Sequence, residues 1–150
     1  MKKFKFSLGK VLEIKEVEEK VIQKKLLLIQ NEISETEKKI ISVKENISCQ
    51  RKEICILSLS VINTVEVMLY YKYIESLNNE VEFLTSHIKK LKINEDNIKK
   101  QLIEKSREKK ALERLKEIKY EEYRKEYKKE QQLFIDDMSI QNHRFRVGNI

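Results

Sequence analysis

"SLSVINT", Ser58–Thr64, is the stretch that decides the fold. Helix-forming runs of Lys, Glu, Leu and Ile flank it, and two hydrophobic seams lose phase across it. The first seam starts at Ile22. Alternating steps of four and three lead through Leu26, Ile29, Ile33, Thr36, Ile40, Val43, Ile47, Gln50, Ile54, Leu57, Val61, Thr64 and Met68 to Tyr71. Twelve of those fifteen positions are apolar, which marks a heptad repeat. Thr36, Gln50 and Thr64 share one heptad position, where polar groups commonly fix register. The second seam runs Leu77, Val81, Leu84, Ile88, Leu91, Glu95, Ile98, Leu102. Traced backwards it passes through Ile74 and Tyr70, not through Tyr71 and Met68. One continuous helix cannot serve both seams, so the chain is expected to break at 58–64, with Thr64 capping a new helix.

Composition agrees with two long helices. The 150 residues contain no proline and two glycines, Gly9 and Gly148, near the two ends. Charged residues make up 38% and aromatics 7%, the balance of a coiled coil rather than of a globule with a sizeable core. The expected fold is all-α: an antiparallel coiled-coil hairpin forming one domain. Its first helix spans about 4–57, the tip 58–64 and the second helix about 65–138, with a flexible tail at 139–150. The first arm, about fifty residues at roughly 1.5 Å each, is on the order of 75 Å long. The rival architecture is a dimeric scaffold, in which the first seam pairs with a second copy.

Hairpin geometry raises a question about "IKYEEYRKEYKKE", Ile118–Glu130, where Tyr120, Tyr123 and Tyr127 fall on one helix face. With the tip at Val61, Leu8 faces about Arg114 and Phe4 about Ile118. The first helix has then run out, and the tyrosines, with Phe134, are expected in an overhang that docks on another protein; the alternative, that they pack against the first helix, requires a tip several residues away from Val61. Residues 89–130 hold 16 Lys/Arg and 10 Asp/Glu, a net of +6 out of the chain's +7. Acidic residues interleave that basic face, which argues against nucleic acid and for an acidic protein surface.

Other function classes find little support. No Gly-rich phosphate loop and no nucleophile–base set stands out, so no enzyme and no cofactor are expected. Cys49 and Cys55 lie on different faces of one helix, far in sequence from His87 and His143, which reads as two reduced thiols and no metal site. The basic start, Met1–Gly9, lacks an apolar core and is not expected to be a signal peptide. No apolar run reaches the length of a membrane span. A soluble, cytoplasmic protein is expected.

Three segments resemble the flagellar export protein FliJ family. "FKFSLGKVLEIKEVEEK", Phe4–Lys20, matches an F-x-F-x-L-x-x-V-L opening with Phe4, Phe6, Leu8, Val11 and Leu12. "YYKYIESL", Tyr70–Leu77, is similar to the start of the family's second helix through Tyr73, Ile74 and Leu77. "REKKALERLKEIKYEEYRKEYKKEQQLFIDDM", Arg107–Met138, resembles its C-terminal signature through Leu112, Leu115, Tyr123, Glu130-Gln131 and Asp136-Asp137. The family's glycine near the tip has no counterpart here. The resemblance implies a component of the flagellar type III export apparatus, folded like the γ-subunit stalk of rotary ATP synthases. The implied partners are the hexameric export ATPase, whose assembly the family promotes, the cytoplasmic domain of the membrane export gate, and export chaperones that it recycles. Assembly at the cytoplasmic face of the inner membrane, peripheral to it only through the gate, follows from the same resemblance. Carried over by motif, ATPase binding falls on Leu8, Val11, Leu12, Tyr120, Tyr123 and Tyr127, and gate binding on Tyr73 and Leu77. Stalk proteins of virulence injectisomes share the layout and stand as the alternative.

Overall fold

A heptad seam uninterrupted by glycine or proline gives each segment one apolar stripe and no internal stop, so each runs as a single helix. The computed structural model describes residues 3–61 and 63–147, with side chains through residue 144. It consists of α1, Gly9–Leu57, and α2, Thr64–Val147. The two pair antiparallel as a hairpin within one chain. Bonds between helices run from Asn46 to Tyr73, from His87 to Glu32 and from Gln30 to Glu95, so partners move apart in sequence as they leave the tip. The chain divides into two compact units. One comprises the first nineteen residues with those from Glu104 onward; the other is Lys20–Ile103.

Within Lys20–Ile103 the seam sets the packing. Between residues 22 and 57 every residue that is not exposed lies on it, with Asn46 the one exception. Ile47, Ile74 and Leu77 form the buried cluster, and Val43, Ile54 and Val81 pack around it. Thr36 is buried on the seam with its hydroxyl donating to the Glu32 carbonyl at 2.7 Å, so its polarity is satisfied inside its own helix. Glu95, the charged member of the second seam, accepts from Lys99 at 2.9 Å and from Gln30 at 3.1 Å. The Lys99 ammonium first, and then Gln30, hold its carboxyl below the ordinary carboxylate range. The seam from Ile22 does not carry across the tip: Val61, Thr64, Met68 and Tyr71 all face outward. In α2 the inward line instead passes through Val67, Tyr70 and Ile74, which is the second seam traced back.

Residues 58–61 and 63 have no positive φ, so none of them takes a conformation that favours glycine. Backbone bonds tighten the end of α1, Leu59 N–H to Ile56 and Ser60 N–H to Leu57, both at 3.2 Å. Ser58 and Ser60 donate their hydroxyls to the carbonyls of Cys55 and Leu57, at 2.7 and 3.0 Å. These serines satisfy carbonyls that a helix end leaves without partners. The cap of α2 is Asn63 rather than Thr64. Its side-chain oxygen accepts from Val65 N–H at 3.3 Å and its carbonyl from Val67 N–H at 3.1 Å. Thr64 is therefore the first helical residue.

Both outer helix ends differ from the expected bounds. α1 begins at Gly9 instead of residue 4, since Leu8 supplies the first helical carbonyl and Gly9 N–H bonds back to Phe6 at 3.2 Å in a turn. α2 continues through 139–147, part of the expected flexible tail, because those residues hold neither glycine nor proline. Ser139 donates to the Ile135 carbonyl at 2.8 Å within this stretch. Residues 148–150 lie outside the described residues.

Candidate functional site

The terminal unit, built from the start of the chain and α2 beyond Glu104, carries the aromatic stripe. Phe4, Phe6 and Leu8 recur at steps of two, the period of an extended chain. Burial follows that period: these three are half-buried, while Lys5 and Ser7 are exposed. Residues 3–6 run outside the helix, and Ser7 and Leu8 turn the chain into it, so Phe4 is not carried on the first helix.

It reaches the tyrosines. The Phe4 ring stands edge-on to Tyr120, centroids 5.3 Å apart at 73°, and tilted to Tyr123 at 5.5 Å. Tyr120 and Tyr123 stack at 6.4 Å, and Tyr123 and Tyr127 at 6.3 Å. The expectation that all three tyrosines lie beyond the first segment is thus corrected: Phe4, in the segment before α1, covers Tyr120 and Tyr123. The period-two spacing of Phe4, Phe6 and Leu8 is the signal that would have revealed this. Beyond the ladder, Tyr127, Phe134 and Ile135 line a shallow groove on α2 with Glu130 and Gln131. Leu133, Phe134, Met138 and Ile140 are also exposed there.

Behind the aromatic ladder the unit is held by ion pairs. Lys15, Glu18, Lys105 and Glu108 close a ring across the two helices. Lys15 meets Glu108 at 2.8 Å and Glu18 at 3.3 Å, and Lys105 meets Glu18 at 3.0 Å and Glu108 at 3.6 Å. Lys109 pairs with Glu19 at 2.9 Å. Donating to Glu108 first and then to Glu18 holds the Lys15 ammonium above its ordinary value, and donating to Glu19 does the same for Lys109. Glu18, held by Lys105 and Lys15, lies below the usual carboxylate range. Glu19 is lowered in the same way by Lys109, and Glu108 by Lys15. On the outer face Lys119 bonds Glu122 at 2.8 Å. Lys125, Lys128 and Lys129 make no ion pair among the described residues; Lys125 and Lys128 line a second groove with Glu121 and Arg124, away from the Tyr127 face.

The candidate residues separate by exposure. Leu12 is buried beneath Phe4 and Tyr120 in a groove shared with Glu16 and Glu113, while Val11 faces outward and Leu8 is half-buried. Tyr120 and Tyr127 keep nearly half their surface open, at 48% and 41%. In the other unit, Tyr73 is 46% exposed and its hydroxyl accepts from Asn46 at 3.2 Å. Leu77, one turn on, is only 6% exposed and sits in the core with Ile47 and Ile74, so it has no face to offer a partner. The second seam already ran through Leu77. Among the described residues no cluster could hold a metal ion, and both cysteines are free and exposed. No described helix is long and apolar enough to cross a membrane.

Comparison with known proteins adds one finding of weight. The profile of a protein family described as "Flagellar FliJ protein" matches residues 4–148, nearly the whole chain. Among curated proteins and solved structures, none matches.

Proposed function

Because the chain belongs to the flagellar FliJ protein family, a non-catalytic component of flagellar export, we propose that it acts as the coiled-coil stalk of the export ATPase. In this reading the paired terminal segments enter the central hole of the hexameric ATPase and promote ring assembly. The side nearer the tip contacts the cytoplasmic domain of the export gate, and the chain also receives emptied export chaperones. It then works in the cytoplasm, peripheral to the inner membrane.

The observation that carries the reading is the aromatic ladder ending in Tyr127, which keeps 41% of its surface open. A tyrosine ring buries apolar area while its hydroxyl stays hydrogen-bonded, which suits it to an interface centre. Tyr120, Tyr127 and Val11 offer open surface to the ATPase; Leu12 and Phe4 hold that surface in place from behind. On the gate side Tyr73 is the contact, and Leu77 supports it through the core.

The test is titration of the full chain with the ATPase and, separately, with the gate domain. Tyr127→Ala weakens ATPase binding by roughly 1–2 kcal/mol, about tenfold, with helicity unchanged. Tyr73→Ala weakens gate binding alone. Wild-type ATPase affinity in the Tyr127 variant would remove the stripe from the interface.

A further inference from the structure

We propose that two copies of this chain exchange arms at the hairpin tip, each first helix running on through 58–71 and pairing with the other copy. The turn and the phase slip do not coincide. The first seam keeps its alternating steps as far as Tyr71, and phase is lost only between Tyr71 and Ile74. The chain turns well before that, between the end of α1 at Leu57 and the start of α2 at Thr64. Val61, Thr64, Met68 and Tyr71 therefore carry the phase of α1 at places where the hairpin cannot use it.

All four face outward. Val61 is 99% exposed, Met68 57% and Tyr71 58%. Their spacing selects the partner. With α1 continued to Tyr71, they extend the seam that already packs Ile47 and Ile54. A seam so extended needs an antiparallel helix of the same pattern, and the same segment of a second copy supplies it. In the register by which Gln30 meets Glu95, Ile54, Leu57 and Val61 of one copy face Tyr71, Met68 and Thr64 of the other. Each pair occurs twice about a two-fold axis, which makes the surface self-complementary. Charge permits the approach. Residues 54–71 hold one charged side chain, Glu66, which falls on the face of the continued helix opposite the seam. Arg51, Lys52 and Lys72 are balanced by Glu53, Glu66 and Glu75, so two tips meet without net repulsion. Ile62, which lies outside the described residues, has no place on the seam.

The turn can straighten. Residues 58–61 and 63 have no positive φ, and 58–63 include neither glycine nor proline. Its fixings are local: the Ser58 and Ser60 hydroxyls on carbonyls of α1, and the Asn63 cap of α2. One continuous helix still cannot serve both seams. In the exchanged pair the discontinuity moves to the slip itself, between Tyr71 and Ile74, as a locally overwound turn. Contacts farther from the tip, such as Asn46 with Tyr73 and Gln30 with Glu95, are remade between copies. The exchange thus adds the seam pairs of 54–71 and gives up the caps of the turn.

The experiment refolds the full chain from denaturant at low and at high protein concentration and separates the products by size exclusion with light scattering. Cys49→Ser and Cys55→Ser remove the native thiols, and Asn46→Cys with Tyr73→Cys marks a contact of the hairpin. A monomer is expected at low concentration and a dimer at high concentration. On oxidation the monomer should close the 46–73 link within one chain and the dimer should close it between two, which a non-reducing gel reads directly. Val61→Asp combined with Met68→Asp should lower the association constant by at least about tenfold. Both positions are exposed in the hairpin, so the monomer of that variant keeps its helicity. Leu59→Asp, at a position 89% exposed but off the seam, should leave the dimer at its wild-type level. Asn63→Ala should raise the dimer fraction, since only the hairpin loses a cap. The proposal is overturned if no dimer forms at high concentration, or if the links in the dimer close within chains. It is likewise overturned if Leu59→Asp weakens the dimer as much as the paired substitution does. None of these outcomes depends on ATPase affinity, which tests the stalk reading separately.

Discussion

The two compact units of this chain are the same kind of helix pair held by different forces. Lys20–Ile103 is held by an apolar seam: of the buried apolar residues, Ile33, Ile47, Ile74, Leu77, Ile88 and Leu91 all lie in it. Among its described residues the terminal unit has one, Leu12. In place of a seam it has the ion ring around Lys15 and Glu108 and the aromatic ladder seeded by Phe4. Apolar burial is insensitive to salt and cannot be exchanged for water without a large loss, whereas exposed ion pairs are screened and individually weak. A pair of helices joined by the second kind of contact can rearrange against a partner at small cost. The seam provides permanence, and the terminal unit provides availability.

The sharpest way to break this contrast is to empty the seam. Ile74→Ala or Leu77→Ala leaves a cavity in the buried cluster and should cost about 2–4 kcal/mol in denaturant unfolding. Leu12→Ala in the terminal unit should cost less, since fewer apolar neighbours surround it; equal losses would erase the distinction. Removing the cap comes next: Asn63→Ala is expected to destabilise by about 1 kcal/mol, while Thr64→Ala stays near wild type. Phe4→Ala should give a loss of similar size, on the order of 0.5–1.5 kcal/mol. That loss should be confined to residues near Tyr120 and Tyr123 by hydrogen exchange, with no change at Ile47 or Ile74.

The smallest effect is the most specific. Glu18, Glu19 and Glu108 have carboxyls held below their unfolded values. Their contribution is present above the unfolded pKa of about 4.3 and lost as pH falls through the lowered folded values. Lys15 and Lys109 are raised, so theirs is present below about 10.4 and lost as pH climbs above it. Between those limits the terminal unit should be indifferent to pH. Below about pH 4, or in high salt, exchange should quicken near Lys15 and Lys109, and in the seam only around Glu95, while the apolar cluster at Ile47 and Ile74 holds. A uniform response along the chain would mean that the ion ring does not distinguish the units.

Much of this was legible in the sequence because a heptad is a packing instruction: apart from Asn46, the residues from Ile22 to Leu57 that leave the surface are those at its alternating steps. The phase slip between Tyr71 and Ile74 likewise reflects a physical fact, that one helix has one inward face. What escaped notice follows from competition between periods. Phe4, Phe6 and Leu8 run at two while the residues after them run at three and four, and a helix carried back over them hides the segment that covers Tyr120. Thr64 and Asn63 are both good capping residues, and only the backbone decides which carbonyl takes the first helical bond. Tyr73 and Leu77 looked equivalent as an i, i+4 pair. The offset between the seam and the outer face separates them, sending one to solvent and the other to the core.

The tip bears on how the chain finds its structure. Contacts across the hairpin begin between residues close in sequence, Asn46 with Tyr73 at a separation of 27, and widen to 90 for Lys109 with Glu19. Loop closure costs least for the shortest separation, so pairing should start beside 58–63 and zip outward, the ends joining last. The chain has no proline, and the slow isomerisation that delays many proteins has nothing to act on. Refolding from denaturant should therefore be fast and free of a phase lasting tens of seconds. In kinetic labelling, amides near Ile47 and Ile74 should be protected before those near Lys15 and Lys109.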